Sequence, residues 1–566
     1  MPRIFPKLTA TALQATTYLL GIALFSIAFL VFLNSSISFV ITDIIGRKHG
    51  VGDAAGSLGF ADELLALVAC PAWGLISDRV GVRFVAVFGY CVIGLSLIGL
   101  VQAENVYPEL LVARLMFSIG GAACSTMVTA VLPAMIAEKT VVEDDGQKDA
   151  VEDKTAGASQ LAGFVGLFTG AGALVALAVF LPMPAYFQAH GQSQEQSLRY
   201  AFYIVAAVAF CVAIFIFVGL RNLPGEEGKK LSALFQTPYN ESSAIDHEGH
   251  VHITLTPAPS YLSLIKDSVK LGLTDSTIFL GYLGGFVARA SSVAISLFIP
   301  LFVNAYFRRH GLCNSDADNI PDIKKNCERA YGLASALSGV AETAALICAP
   351  LFGWLGGRAV KGSSEWPLSA AAAIGVGGYV AFGLLRNPDA FHGEGGEWAF
   401  LAVILIGISQ IGCIVCSLAL LGRGINKDEQ TNRGDDAAAK HHSIPSAVGP
   451  STILTPEITT PTEPPEDAPL LWNTVAKHKR PEGKIDRSRL KGSIAGVYSF
   501  AGGAGILLLT KLGGALFDSW TPGAPFFLMA AFNAGLLVAV VVVGGIRVAR
   551  QRRRKGSDDW ERTHRD

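Results

Sequence analysis

The chain has 566 residues, 51% of them hydrophobic and only 16% charged, with a mean hydropathy of +0.43. Soluble domains carry about 25% charged residues, so composition argues against a soluble globular protein. A net charge of −1 gives no bulk attraction to nucleic acid.

The apolar residues are gathered into runs of about 20 or more, the length that crosses a bilayer as a helix. Twelve runs are predicted, at 17–41, 56–77, 84–103, 109–138, 156–181, 200–221, 275–305, 331–355, 367–385, 398–422, 491–516 and 523–546. The first is too long for a signal-peptide core and lacks a small-residue cleavage site, so it is read as a retained helix. An even count puts both termini on one side. Basic residues flanking spans stay cytosolic. Arg79 and Arg83, Arg358 and Lys361, and the run from Arg547 to Lys555 therefore assign that side, and both termini, to the cytosol. The loop at 306–330, with Arg308, Arg309, Lys324 and Lys325, runs against this assignment.

The expected organisation is a cytosolic tail (1–16), a six-helix bundle (17–221), a cytosolic linker (222–270) and a second six-helix bundle (271–546), then a basic cytosolic tail (547–566). A cytosolic insert at 423–489 is rich in Pro, Thr, Ser and charge. Such a composition buries too little apolar area to fold, and disorder is expected there.

The two bundles repeat each other. Glu63, Pro71, Gly74 and Arg79 recur as Glu342, Pro350, Gly353 and Arg358, each 279 positions later. Gly120 and Cys124 recur as Gly412 and Cys416, 292 positions later. Ala162-Gly163 and Gly170-Ala171-Gly172 recur as Ala495-Gly496 and Gly503-Ala504-Gly505, 333 positions later. Matched helices in the same order and direction imply parallel halves related about an axis along the membrane normal.

The loop Gly74-Leu-Ile-Ser-Asp78-Arg79-Val-Gly81-Val-Arg83, between the second and third spans, resembles the signature of the major facilitator superfamily. Gly353-Trp-Leu-Gly-Gly-Arg358 resembles its degenerate second copy, and Arg114 followed by Gly120 a further family motif. The resemblance covers nearly all the chain apart from the two long loops and the tails. It implies an all-α membrane protein whose twelve transmembrane helices form two pseudo-symmetric six-helix bundles and work by alternating access. Asn34-Ser35-Ser36 stands where the family's drug–proton antiporters often carry an Asp motif, and the fifth span lacks their Gly-Pro pair. The combination resembles a fungal branch of the superfamily.

Several residues could carry chemistry. In the signature loop, Asp78 can accept from backbone N–H groups at a helix N-terminus, worth about 0.3–1 kcal/mol. Arg79 and Arg83 can reach an acid across the cytosolic face, with Glu138 as the candidate, making a gate. The alternative is a plain positive-inside turn. Gly357 replaces Asp78 in the second copy, so a weaker latch is expected there. Asp62, Glu63 and Glu342 fall near the bilayer midplane, Arg289 near the middle of the seventh span, Arg114 in the outer half of the fourth and Lys511 near the outer end of the eleventh. A charge at that depth costs about 2.5–3.5 kcal/mol, so each should face a cavity or a partner. The expected pairs are Arg289 with Glu342, and Arg114 with Asp62 or Glu63.

No histidine lies in any predicted span, so proton coupling would fall to Asp62, Glu63 or Glu342. Fixed structural pairing and direct substrate contact are the other readings. Asn34, Gln160 and Gln410, with Thr126, are candidate cavity groups, or else bond neighbouring backbone. The glycines of the fifth and eleventh spans mark either a rocking interface or tight static packing.

Outside the spans, Cys313 and Cys327 flank an outward or lumenal loop, where a disulfide closing about 15 residues would contribute about 3 kcal/mol. Cys413 and Cys416 read as small buried residues. His247, Glu248, His250 and His252 read as a solvated linker rather than a metal site. Glu466, Leu470 and Leu471 resemble an acidic dileucine sorting signal, which tilts the membrane toward a vacuolar or lysosome-like one, with a sorting adaptor as partner.

The sequence reading is therefore a secondary transporter of a small solute, coupled to protons and expected to be a monomer in the lipid bilayer. The alternatives are an uncoupled metabolite facilitator and a transporter-like nutrient sensor signalling through the 423–489 loop. No Gly-x-x-x-x-Gly-Lys-Ser/Thr loop, nucleophile motif or fixed metal set appears, so neither an ATP-driven pump nor an enzyme is expected, and no cofactor.

Overall fold

Long apolar runs satisfy their own backbone hydrogen bonds only as helices when water is absent, and the fold follows from this. The computed structural model describes residues 10–47, 51–136, 147–224, 226, 229, 239–245, 251–257, 261–309, 328–361, 365–389, 396–441 and 490–563. Twelve helices among them are long and apolar enough to cross a membrane. Spans 1 to 6 are Ala12–Ile37, Ala54–Val80, Val82–Leu100, Val106–Met135, Gly157–Phe180 and Gln194–Gly219. Spans 7 to 12 are Ser276–Phe307, Leu333–Ala359, Trp366–Gly383, Glu397–Ile425, Lys491–Ser519 and Ala524–Arg547.

The two halves pack alike. Span 3 lies against spans 4 and 6, as span 9 lies against spans 10 and 12. Span 2 packs on span 4, as span 8 packs on span 10. Between the halves, span 2 lies along span 11 and span 8 along span 5, the same pairing with the roles of the halves exchanged. Buried tyrosines tie each bundle internally. Tyr90 Oη donates to Gly21 O at 3.0 Å, and Tyr498 and Ser417 share a hydrogen bond of 3.1 Å.

Three segments carry structure that the sequence reading did not describe. The linker carries an antiparallel hairpin of β1 (Tyr239–Ile245) and β2 (Val251–Pro257), Tyr239 opposite Pro257, followed by a helix at Tyr261–Thr274. The helix of span 10 runs on to His441, into the insert expected to be disordered. That extension is polar, but it contains helix-favouring residues such as Ala437–Ala439 and no proline, and an existing helix propagates without a new nucleus. The span 12 helix likewise continues through the basic stretch to Thr563. Cys313, Cys327, Glu138, Glu466, Leu470 and Leu471 lie outside the described residues, as do His247, Glu248 and His250.

Candidate functional site

The repeat positions found in the sequence meet one another across the halves. A methyl on Gly163 of span 5 would lie 2.8 Å from the Cα of Gly353 in span 8. A methyl on Gly74 of span 2 would lie 2.9 Å from the Cα of Gly496 in span 11. Gly74 and Gly353 are one repeat pair, Gly163 and Gly496 the other. The same exchange recurs two turns away, where Leu67 touches Gly503 and Leu346 touches Gly170. Only glycine lets two helices come this close.

These crossings close the two halves together at the face that carries the 74–83 turn. Gly81 makes that turn with φ +99°, a conformation that side chains resist. The turn aims Asp78 across to the other half. Its carboxylate accepts from Gly492 N at 2.6 Å, from Ser493 N at 2.7 Å and from the Ser493 hydroxyl. Gly492 and Ser493 open the helix of span 11, so Asp78 caps a helix belonging to the opposite half. The expected carboxylate-to-helix contact is thus made, and Ser493 is its partner. Arg83 sits over the Phe217 ring at 4.1 Å, and Arg358 over the Trp354 ring at 3.9 Å. Arg79 is half-buried.

The linker contributes a group that sequence reasoning did not single out. Glu226 accepts from Val82 N at 2.8 Å, capping span 3 just after Gly81, and pairs with Lys229 at 2.6 Å. The second copy, which lacks Asp78's equivalent, makes a different contact across the halves. Arg423 of span 10 donates to Ser159 Oγ of span 5 at 2.8 Å and to Gly356 O at 3.2 Å. Its other nitrogen lies 3.6 Å from Glu365, which also pairs with Arg547 at 3.0 Å. Arg547, the first residue of the basic stretch, further donates to Ser276 and Thr277. The only sequence signal for this cluster was charge placed at the ends of spans 9, 10 and 12.

At mid-depth, Arg114 is 4% exposed and holds both Asp62 Oδ2 and Asn34 Oδ1 at 2.6 Å. The expected pairing of Arg114 with Asp62 is therefore present. The expected pairing of Arg289 with Glu342 is not: among the described residues no ion pair joins them. The charges of Arg289 and Arg114 both act on Glu63 instead. Two residues on adjacent spans of one bundle are neighbours in sequence order, but the helix faces decide. Arg289 packs on Gly502 of span 11, the helix that lies along span 2 and its Glu63. Lys511 lies 4.1 Å from the Phe60 ring.

Two stripes on span 8 show where Glu342 points. Ile347, Leu351 and Trp354 are exposed and apolar, a lipid-compatible face. Ser335, Gly339 and Glu342 form a second exposed stripe that ends in Leu346, which touches span 5. Glu342 therefore points at the opposite half. A Cβ on Gly339 would meet nothing within 4 Å, so there is open space one turn away. Glu63, one turn from Leu67, occupies the matching place in span 2. Gln410 of span 10 lies beside Glu342 and donates to Ser292 Oγ of span 7 at 2.9 Å. Gln160 is half-buried on span 5, and Thr126 is buried on span 4. Among the described residues no cluster of His, Cys, Asp and Glu could hold a metal, and Cys413 and Cys416 are free, buried thiols.

A Major Facilitator Superfamily model matches residues 24–432. A bacterial homologue of the iron transporter ferroportin, solved in an outward-facing state, is 13% identical. That alignment covers 93% of this chain and 98% of that one, with a TM-score of 0.55. The transporter FucP in its outward conformation is 11% identical over 93% of this chain and 99% of that one, with a TM-score of 0.52. At these identities the likeness shows the fold. No curated protein matches the sequence.

Proposed function

The chain belongs to the Major Facilitator Superfamily, and we propose that it is a secondary transporter that moves a small solute by alternating access and couples it to protons through Glu63 and Glu342. The observation that carries this reading is the placement of those two carboxylates. They occupy repeat-equivalent positions, and each lies one turn from a leucine that touches the other half. A carboxyl between two bundles that rock apart is exposed to one side of the membrane at a time, as coupling requires.

In this reading the 74–83 face is cytosolic, with both termini, the linker and the 423–489 insert on that side. Bundles 17–221 and 271–546 are the rocking bodies. Asp78 with Gly492 and Ser493, and Arg423 with Ser159, are the latches that hold the cytosolic side shut while the opposite side admits solute. Arg79, Arg83 and Arg358 flank these latches, and Asn34, Gln160 and Gln410 line the path. Glu466, Leu470 and Leu471 direct the protein to a vacuolar or lysosome-like membrane.

Reconstitution into liposomes tests the reading. Flux of a solute panel is measured with and without an imposed pH gradient. The gradient should drive accumulation in the wild type, and Glu63→Gln and Glu342→Gln should each abolish accumulation while leaving exchange measurable. Uptake that only equilibrates the solute and ignores both the gradient and the two substitutions would leave an uncoupled facilitator.

A further inference from the structure

We propose that a cavity at the 74–83 face, walled by the ends of spans 3 and 6 and by the linker, is a binding site for a phosphomonoester presented as the head group of an anionic phospholipid. The cavity has a volume of about 350 Å³, within the range of about 300–1,000 Å³ that ligand pockets occupy. Gly81, Arg83 and Phe84 line it from the turn and span 3, Asn222 from just past span 6, and Glu226 and Lys229 from the linker. Span 3 begins at Val82 and span 6 ends at Gly219, so the cavity lies at the level where both apolar helices stop.

The lining has one acid among the described residues, and both of its oxygens are occupied. Glu226 accepts from Val82 N at 2.8 Å through one and from Lys229 Nζ at 2.6 Å through the other. Lys229 is thereby matched, and its charge also reaches Asp78. Arg83 has no such acid. Its guanidinium is held by aromatic rings instead, 4.1 Å from Phe217 and 5.4 Å from Phe84. Arg221, beside Asn222, adds a like charge that acts on Arg83. Among the described residues no ion pair involves either arginine. Two cations that feel each other, at a wall whose acid is taken, are relieved by an anion.

A phosphomonoester suits this wall. It carries a charge of about −1.5 to −2 at neutral pH, which answers both arginines, whereas a phosphodiester brings a single charge. Arg83 Nε is enclosed, so the terminal nitrogens are the donors this guanidinium offers, and a planar guanidinium matches phosphate oxygens in pairs. The Asn222 amide is a further donor. The surroundings favour a lipid as the source. Ile214, Phe217 and Val218, at i, i+3 and i+4 on span 6, are exposed and apolar. This lipid-compatible face ends under Arg83, because Phe217 is both part of it and the ring beneath the guanidinium. Acyl chains lying along that face would bring their phosphate to the cavity.

The test is binding of a fluorescent phosphatidic acid to the full-length protein in detergent micelles, with unlabelled competitors. Saturable binding is expected, displaced by phosphatidic acid, at least tenfold less well by phosphatidylglycerol, and not by phosphatidylcholine. Arg83→Gln and Arg221→Gln should each weaken binding at least tenfold. Arg83→Lys, which keeps the charge, should weaken it less than Arg83→Gln, and so separates loss of the site from loss of the fold. Arg553→Gln, in the basic stretch after span 12, should leave binding unchanged. Binding unchanged in both arginine-to-glutamine variants at 83 and 221, equal displacement by phosphatidylglycerol or phosphatidylcholine, equal weakening by Arg553→Gln, or no saturable binding would each overturn the proposal. Displacement of the probe by inorganic phosphate or glycerol 3-phosphate at lower concentrations than by phosphatidic acid would overturn the lipid as source and leave a site for a soluble phosphomonoester. None of these readouts depends on transport.

Discussion

Gly163 of span 5 and Gly353 of span 8 meet backbone to backbone, so close that a methyl on the first would lie 2.8 Å from the Cα of the second. Gly496 and Gly74, their repeat counterparts, meet in the same way on the other side of the pseudo-axis. A Cβ in either crossing must push two helices apart, and those helices belong to different halves. Gly163→Val or Gly353→Val is therefore expected to keep each bundle folded but prevent closure at the 74–83 face. Transport should fall at least tenfold with normal membrane insertion. Cysteine labelling at the 74–83 face should rise on a background with the native cysteines replaced.

Asp78 caps span 11 from outside its own half, accepting from two of the four backbone amides that a helix start leaves open. Losing such a cap costs about 1 kcal/mol. Asp78→Ala should thus shift the balance between closed and open states at this face by about fivefold, whereas Asp78→Asn, which keeps one acceptor oxygen, should shift it less. Distance measurements between spin labels on spans 2 and 11 would show both shifts. Equal populations in the wild type and Asp78→Ala would remove the latch.

Arg114 is buried and depends on Asp62 for its counter-charge. Removing one partner of a buried pair costs about 3–5 kcal/mol, while neutralising both often costs little. Asp62→Asn should lower the thermal midpoint of the solubilised protein sharply. The double variant Asp62→Asn with Arg114→Gln should recover much of that loss. If the double variant is as unstable as the sum of the singles, the pair is not a unit.

Arg423 replaces the missing acid of the second copy by reaching from span 10 to Ser159 of span 5. Arg423→Leu should loosen the 74–83 face much as Asp78→Ala does, and combining the two should do so more than either alone. Ser159→Ala, which removes only the acceptor, should reproduce part of the Arg423→Leu effect. Labelling of the same face by a membrane-impermeant thiol reagent gives the measurement, and no change on Arg423→Leu would confine this residue to holding Glu365.

Much of the architecture was legible because hydrophobic run length and internal repetition are one-dimensional signals. Span counting located all twelve helices, and the 279-residue repeat gave Glu63 and Glu342 equivalent depth. The Asp62–Arg114 contact was open to reading because each charge at that depth needs a partner and few were on offer. The Arg289–Glu342 expectation failed because adjacency along the chain does not fix which helix faces meet. Arg289 turns toward the interface with span 2. The contacts of the linker's Glu226 and of the Arg423–Glu365–Arg547 cluster could not be paired from the chain, since charge at span ends was their only signal, and each joins segments far apart in sequence and carries no repeat partner.

The sequence by itself determined that this chain crosses a bilayer twelve times in two like halves, because an apolar run of given length has one low-energy solution in lipid and a repeated motif has one symmetric arrangement. Only the tertiary structure decided which repeat positions touch: span 2 on span 11 and span 8 on span 5, glycine to glycine. Close helix crossing depends on the rotation of each helix about its axis, and that rotation is set by the packing of all its neighbours at once rather than by any local run of residues.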